Sequence, residues 1–325
     1  MDGETIAVIA EQEVIGRVPL HNLERIVSCG YSGASPALMG ECAKRGIALV
    51  FLTKHGQFLA EVTGEFHGNV LLRKEQYRIS DQAYRSLPIA KSFLLGKLYN
   101  SRAVLLRMMR DHPNRLELEV FQEKTAFLKA ALKQVETADS LSELMGWEGK
   151  AAVAYFSVFD SMILQQKEYF FFHRRNKRPP LDAVNALMSF AYSLFAKICQ
   201  SALQAVGLDP YVGFLHQDRP GRASLALDLI EEFRSVFCDR FVLTLVNKKI
   251  IKPQHFMQKE NGAVFLTEEG RKLFFQSWQE KKKETLQHPF LEESIPWGMV
   301  PYAQALLLSR YLRGDLDAYP PFFWK

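Results

Sequence analysis

The sequence predicts an α+β protein: a small β-rich domain over residues 1–79, followed by a larger all-helical domain over residues 80–325. Two patterns predict this division. Up to about residue 79 the apolar residues come in short β-branched runs punctuated by Gly, Pro and polar groups, which is the signature of strands and turns. Beyond it they recur every three to four residues over long stretches, the period of helices with one buried face. Charge divides at the same place. Residues 1–79 carry eight Lys/Arg against nine Asp/Glu, and the remainder carries 33 against 27. A polyanion site therefore belongs in the larger C-terminal part. A length of 325 residues suits two domains, and 48% hydrophobic with 24% charged residues is ordinary for a globular chain. The four cysteines, Cys29, Cys42, Cys199 and Cys238, form no C-x-x-C pair, so neither a zinc knuckle nor a secreted disulfide framework is expected. No signal peptide is legible, and no apolar run approaches the roughly 18 residues of a membrane span. The expected location is the cytoplasm, with no membrane partner.

Taken in order, ETIAVIA and EVIGRVPL read as a hairpin, and LERIVSCG as a third strand. SPALMGECAKRG reads as a helix with Ser35 as N-cap, Pro36 in its first position and Gly46 as its stop. IALVFLT is a buried strand, His55-Gly56-Gln57-Phe58 a turn, and LAEVTG another strand. His21, His55 and His67 are scattered and form no constellation. From residue 80, SDQAYRSLPIAKSFLLGKLYNSRAVLLRMMR and LELEVFQEKTAFLKAALKQVETA read as two helices, the first with Pro88 near its start.

LMGWEGKAAVAYFSVFDSMI follows. Glu148, between Gly146 and Gly149, is read at the start of a helix that is apolar almost all round. It shares a face with Ala152, Tyr155 and Phe159, which directs it inward, and a buried carboxylate needs a cation or hydrogen bonds to meet it. Capping or an ordinary ion pair is the alternative. Residues 167–178 then bring five Lys/Arg against one acid, interleaved with Tyr169 and Phe170 to Phe172. Arg174, Arg175, Lys177 and Arg178 suit contacts to a DNA backbone, whereas the aromatics are expected to pack inward. An apolar helix begins at Asp182 or Asn185.

The stretch YVGFLHQDRPGRASLALDLIEEFRSVF, residues 211–237, carries His216, a basic turn at Arg219-Pro220-Gly221-Arg222, and a helix with Asp228, Glu231 and Glu232. Ser224 is placed to cap that helix. Leu225, Leu229, Phe233 and Phe237 fall on one side of it and the three acids on the other. An imidazole and carboxylates near two arginines suit a divalent cation beside a phosphate, and these ligands favour Mg²⁺ or Mn²⁺ over thiolate-binding metals. A solvated acidic face after a loop histidine is the alternative. Further on, NGAVFLTEEGRKLFFQSWQEKKKE reads as a hairpin-like start, then Thr267 with acids in a helix's first turn, and SIPWGMVPYAQALLLSRYLRG as a last helix. The Pro-rich aromatic DLDAYPPFFWK is expected to order only against a partner.

Three of these stretches, LMGWEGKAAVAYF, RRNKRPPLDAVNALMSFAYSLF and GLDPYVGFLHQDRPGRASLALDLIEEFR, together resemble the CRISPR-associated adaptation endonuclease/integrase, family number one of the Cas proteins, in its type I-C form. The resemblance runs from about residue 3 to the C-terminus. It implies an N-terminal β-rich domain that dimerises and an all-helical catalytic domain. It implies metal ligands at Glu148, His216 and Glu231, with Asp228 a further catalytic acid close to the metal. A basic residue three positions after the histidine, here Arg219, is implied to contact phosphate, beside Arg222. Members open with a further strand before the one ending in Asp2-Gly3-Glu4, where this sequence begins. The implied partners are double-stranded and branched DNA, a second copy of the chain, and a small adaptation protein bridging two dimers. The implied reaction is metal-dependent attack of a 3′-hydroxyl on a phosphodiester, inserting short foreign DNA into a CRISPR array. The alternatives are a structure-selective DNA nuclease without integration and a catalytically silent DNA-binding scaffold.

Overall fold

The structure, a computed structural model, describes residues 4–10, 13–23, 25–30, 33–52, 58–62 and 69–324. The Asp2-Gly3 opening, the turn expected at residues 55–57, and His67 lie outside the described residues. The chain divides into two units, Met1–His67 and Gly68–Lys325.

In the first unit, β1 (Thr5–Ala10) and β2 (Glu13–Pro19) form the expected antiparallel hairpin, with Thr5 opposite Pro19. β3 (Arg25–Cys29) leads through α1 (Pro36–Lys44) to β4 (Ala48–Leu52), which pairs parallel to β3 and antiparallel to β5 (Phe58–Val62). A helix is needed there because a parallel neighbour requires a crossover. Ser35 caps α1 by accepting from the Leu38 amide at 3.2 Å, and Gly46 takes the left-handed φ of +68° that ends it. Ile6, Leu20, Cys42, Ile47 and Leu49 make the small core, while Ile9 and Ile15 remain exposed.

The second unit starts earlier than the boundary at residue 79, because α2 (Val70–Ser80) belongs to it. There follow α3 (Ala83–Asp111), α4 (Leu118–Thr137), α5 (Leu141–Ser157) and α6 (Ala183–Ala205). Next come α7 (Ser224–Glu231), a wider π-helical turn over Arg234–Asp239, and α8 (Arg240–Asn247). α9 (Glu268–Lys283) and α10 (Val300–Leu312) complete the helices described. The unit is mostly rather than wholly helical. Two short antiparallel hairpins interrupt it, β6 (Phe256–Gln258) with β7 (Val264–Leu266), and β8 (Thr285–Gln287) with β9 (Ser294–Pro296).

α6 lies in the middle of this unit. Its length and composition would let it cross a membrane, contrary to the expectation from sequence, yet half of its most apolar window is buried within the protein. Phe195 on it meets Phe233 and Phe237 with ring centroids 5.5 and 4.6 Å apart, so its apolarity is that of a core helix. The aromatic C-terminal segment does not wait for a partner to order it. Phe322 is fully buried, and the Trp324 amide donates to Asn100 Oδ1 on α3 at 2.8 Å.

Candidate active site

The loop before α7 is folded around one carboxylate. Asp228, fully buried, accepts from the amides of Phe214 at 2.7 Å and Leu215 at 3.0 Å on Oδ2, and from the His216 amide at 2.8 Å on Oδ1. His216 Nδ1 lies 2.7 Å from the same Oδ1. Since a carboxylate only accepts, Nδ1 carries a proton, and Nε2 is the ring nitrogen turned toward the other acid. Through these four contacts Asp228 anchors the loop and orients the His216 ring. Gly213 makes the wrap possible: a Cβ there would lie 2.6 Å from the His216 carbonyl oxygen and 3.0 Å from Asp228 Oδ2. Beyond the histidine, Arg219-Pro220-Gly221-Arg222 forms the expected turn. The Arg222 amide donates to the Arg219 carbonyl at 3.0 Å, and Gly221 has φ +73°. Ser224 does not cap α7; its hydroxyl donates to the Gln217 carbonyl at 3.0 Å and ties the loop to the helix start.

Glu231, one turn after Asp228, is 1% exposed, so the acidic face is not a solvated one. His216 Nε2 lies 3.9 Å from Glu231 Oε1, and Arg234 reaches the same oxygen at 3.0 Å. Lys97 on α3 stands 2.8 Å from Glu231 Oε2 and also bonds Glu148 Oε1. Burial would push the Glu231 carboxyl up, but Arg234, Lys97 and His216 outweigh it and hold it down to about 2. Glu232 turns away to a different environment. It accepts from the Tyr319 hydroxyl at 2.5 Å, the Phe322 amide at 2.7 Å and Gln304 Nε2 at 2.9 Å, and burial with no cation pushes it up to about 8.

Glu148 is not at a helix N-terminus. α5 begins at Leu141, capped by Ser140, which accepts from the Glu143 amide at 3.2 Å, so Glu148 lies two turns inside and its charge is met by Lys97 instead of the helix dipole. Nor is α5 buried all round, since Val153 is 72% exposed. Glu148, His216 and Glu231 therefore converge from two helices and a loop, with the Lys97 ammonium between the acids. Among the described residues no group of three or more His, Cys, Asp or Glu is arranged to hold a metal ion as it stands. The donor types nevertheless fit a hard divalent cation: two carboxylates, one imidazole nitrogen oriented from behind, and a buried Glu231 Oε2 that no aligned hydrogen bond satisfies.

The basic residues divide. Arg174, Lys177, Arg178 and Arg219 are exposed, and Arg222 is half-buried. Lys177, though exposed overall, lies within electrostatic reach of Glu231: partial burial lowers its ammonium pKa, Arg234 and Arg175 add to that, and Glu231 opposes it. Arg175 is turned inward. It donates to Asn185 Oδ1 at 2.6 Å, the Asn176 carbonyl at 2.7 Å and Ser189 Oγ at 3.1 Å, and lies over the Tyr192 ring at 5.2 Å. It braces the loop. Asp182 caps α6 by accepting from the Asn185 amide at 2.7 Å, which fixes Asn185 as that brace's anchor. Phe170 and Phe172 are buried as expected, and Phe171 is 39% exposed.

Sequence reasoning missed four contributors. Lys97 occupies the buried face of α3 with Phe93, Asn100 and Val104, and a lysine on an apolar stripe was the available signal. Arg234 carried none beyond its spacing of three from Glu231. Gln76 on α2 donates to the carbonyls of Asp209 at 2.7 Å and Val212 at 2.9 Å and accepts from the Asp209 amide at 2.9 Å, while Ser80 Oγ donates to the Gly213 carbonyl at 2.7 Å. α2 thus carries the base of the histidine loop.

The family model described as CRISPR associated protein Cas1 matches residues 1–280. CRISPR-associated endonuclease Cas1 2 of Rhodospirillum rubrum is 49% identical over 328 residues, covering 100% of this chain and 94% of the relative. CRISPR-associated endonuclease Cas1 1 of Chlorobaculum tepidum is 44% identical over 324 residues, with the same coverage. Among solved structures, a Cas1 protein from Thermotoga maritima superposes with TM-score 0.81 at 24% identity, over 98% of this chain and 95% of that one. A casposase bound to integration product superposes with TM-score 0.83 at 23% identity, over 100% and 91%. Those two likenesses concern the fold. The family model and the curated relatives, which span the histidine loop and both acids, show that the chain belongs to the Cas1 family of CRISPR-associated proteins.

Proposed function

We propose that this chain is a metal-dependent DNA endonuclease and integrase of CRISPR adaptation, joining a 3′-hydroxyl of captured DNA to a phosphodiester at the edge of a repeat. The observation that carries the reading is the convergence of Glu148, Glu231 and His216, held by Asp228, beside Arg234 and Lys97. Glu148, His216 and Glu231 are the residues to hold Mg²⁺ or Mn²⁺. Such an ion supplies Lewis-acid polarisation of a phosphodiester and offsets charge on its entering and leaving oxygens. The chain's own part is positional. Asp228 keeps the Nδ1 proton and aims Nε2 at the acids. Arg234 keeps Glu231 ionised. Lys177 offers positive charge at the mouth, and Arg174, Arg178, Arg219 and Arg222 hold backbones without reading sequence. The wider assignment is a type I-C-like form acting in the cytoplasm on double-stranded and branched DNA. The chain works as a homodimer through its β-rich unit, with a small adaptation partner bridging two dimers.

The relatives are named endonucleases, which favours cutting as a second reading. One strand-transfer assay separates the two. The protein, with and without the small partner, meets a short 3′-hydroxyl duplex and a repeat-bearing supercoiled plasmid in Mg²⁺, Mn²⁺ or EDTA. Joined products in metal that vanish in His216→Ala support the integrase. Metal-dependent cutting without joining supports the nuclease. DNA binding with neither activity overturns both and leaves a scaffold.

A further inference from the structure

Lys97 is the charged residue in this pocket that the reading above gives no chemistry. Its side chain is 12% exposed, and its neighbours Phe93, Leu94 and Leu98 on α3 are buried. An ammonium so placed is costly unless anions meet it. Two do: it bonds Glu148 Oε1 and stands 2.8 Å from Glu231 Oε2. Arg234 and His216 approach Glu231 from its other oxygen, Oε1, at 3.0 and 3.9 Å. The ammonium is thus a cation that Glu148 and Glu231 share, and an ion that drew on both carboxylates would draw on the oxygens it holds. Two carboxylates facing one pocket repel unless something positive lies between them. A divalent ion and an ammonium cannot both occupy that position.

We propose that Lys97 is the resident counter-ion of the acid pair, and that metal loading is an exchange in which the ammonium withdraws and a divalent ion takes its oxygens. The proposal rests on the metal-site reading above. The side chain suits it, because a four-carbon stem with a compact charge swings without backbone movement, which the planar fork of an arginine does less readily. Glu231 Oε2 suits it too: Lys97, 2.8 Å away, is the cation that meets this buried oxygen, so withdrawal of the ammonium leaves it open to another. Two consequences follow, and both run opposite to those of a ligand. Lys97 stabilises the metal-free protein, and it weakens metal affinity by competing for the same oxygens.

The test uses the full chain and needs no DNA. Mn²⁺ binding is measured by titration calorimetry, and melting is followed in EDTA and in saturating Mn²⁺, for wild type, Lys97→Met and His216→Ala. Lys97→Met is expected to bind Mn²⁺ about tenfold tighter than wild type, to melt lower in EDTA, and to recover most of that loss in Mn²⁺. Equal or weaker binding by Lys97→Met, with binding abolished in His216→Ala, overturns the exchange and leaves the metal site standing. Undiminished binding in His216→Ala removes the metal site and the exchange with it. Lys97→Gln, uncharged but still able to hydrogen-bond, carries the same comparison if the methionine variant does not fold.

Discussion

Asp228→Asn keeps size and shape but replaces one acceptor oxygen with a donor nitrogen. The buried carboxylate serves three amides and the His216 ring, so either the loop or the imidazole loses its partner. Strand transfer is expected to fall by about 10–100-fold, the usual cost of losing a partner behind a metal ligand; an unchanged rate would show that His216 does not depend on it. Glu232 makes a separable prediction through pH. Its carboxyl titrates at about 8 in the folded protein against an ordinary 4.5. Between those values the folded protein holds a proton that the unfolded chain has lost. The stability tied to this group is therefore full below pH 4.5 and is lost as pH rises through about 8. Glu231 runs the other way: held at about 2, it contributes above pH 4.5 and loses that contribution as pH falls toward 2. The windows do not overlap. Asp239, raised to about 6 by burial, has the sign of Glu232 but is common to both proteins in a comparison with Glu232→Gln. The melting temperature of that variant relative to wild type should climb from pH 5 to pH 9, and a flat difference would reject the assignment.

Helix α2 shows what an element can contribute without touching the chemistry. Gln76→Ala strands the Asp209 amide and the Asp209 and Val212 carbonyls, part-buried groups whose lost partners cost up to about 1–3 kcal/mol each. The expected result is a lower denaturant midpoint and faster hydrogen exchange at residues 209–216, and exchange unchanged there would mean that α2 does not hold the loop. The same element explains what could be read from sequence. α3, α4, α9 and α10 declare themselves by long apolar periods, and Ser35, Asp182 and Thr267 by cap chemistry that acts locally. α2 buries Leu72, Gln76 and Ile79, so a glutamine breaks the apolar stripe that would reveal it. α5 starts a full two turns before Glu148 because packing overrides the helix-weakening Gly146 and Gly149. β6 to β9 have three residues each, too few for alternation to register. Glu148, His216 and Glu231 were candidates from sequence because family resemblance fixed their order, and the fold brings them together. Lys97 was not, because its anionic partners lie on α5 and α7, far along the chain.

At the scale of the whole chain the informative quantity is where positive charge meets solvent. The excess of Lys/Arg over Asp/Glu lies beyond residue 79, and the structure separates charges free to meet a polyanion from those already used. Arg174, Arg178 and Arg219 are exposed and Arg222 half-buried, whereas Arg175 is held by Asn185, Ser189 and Tyr192. Salt dependence reads this difference directly. Each duplex phosphate that the protein no longer neutralises reduces the slope of log K against log salt by roughly 0.9. Replacing Arg174, Arg178, Arg219 and Arg222 together with Ala should therefore flatten the slope by roughly 2–4 while leaving the melting temperature nearly unchanged, because exposed charges contribute little to stability. Arg175→Ala should do the reverse, lowering the melting temperature and sparing the slope, because its guanidinium is spent inside the fold. Fluorescence anisotropy with a labelled duplex at several salt concentrations supplies the slopes. A slope flattened in Arg175→Ala as much as one phosphate accounts for, without a change in melting, would return that arginine to the DNA. It would also mean that the loop at residues 173–178 opens when a duplex arrives.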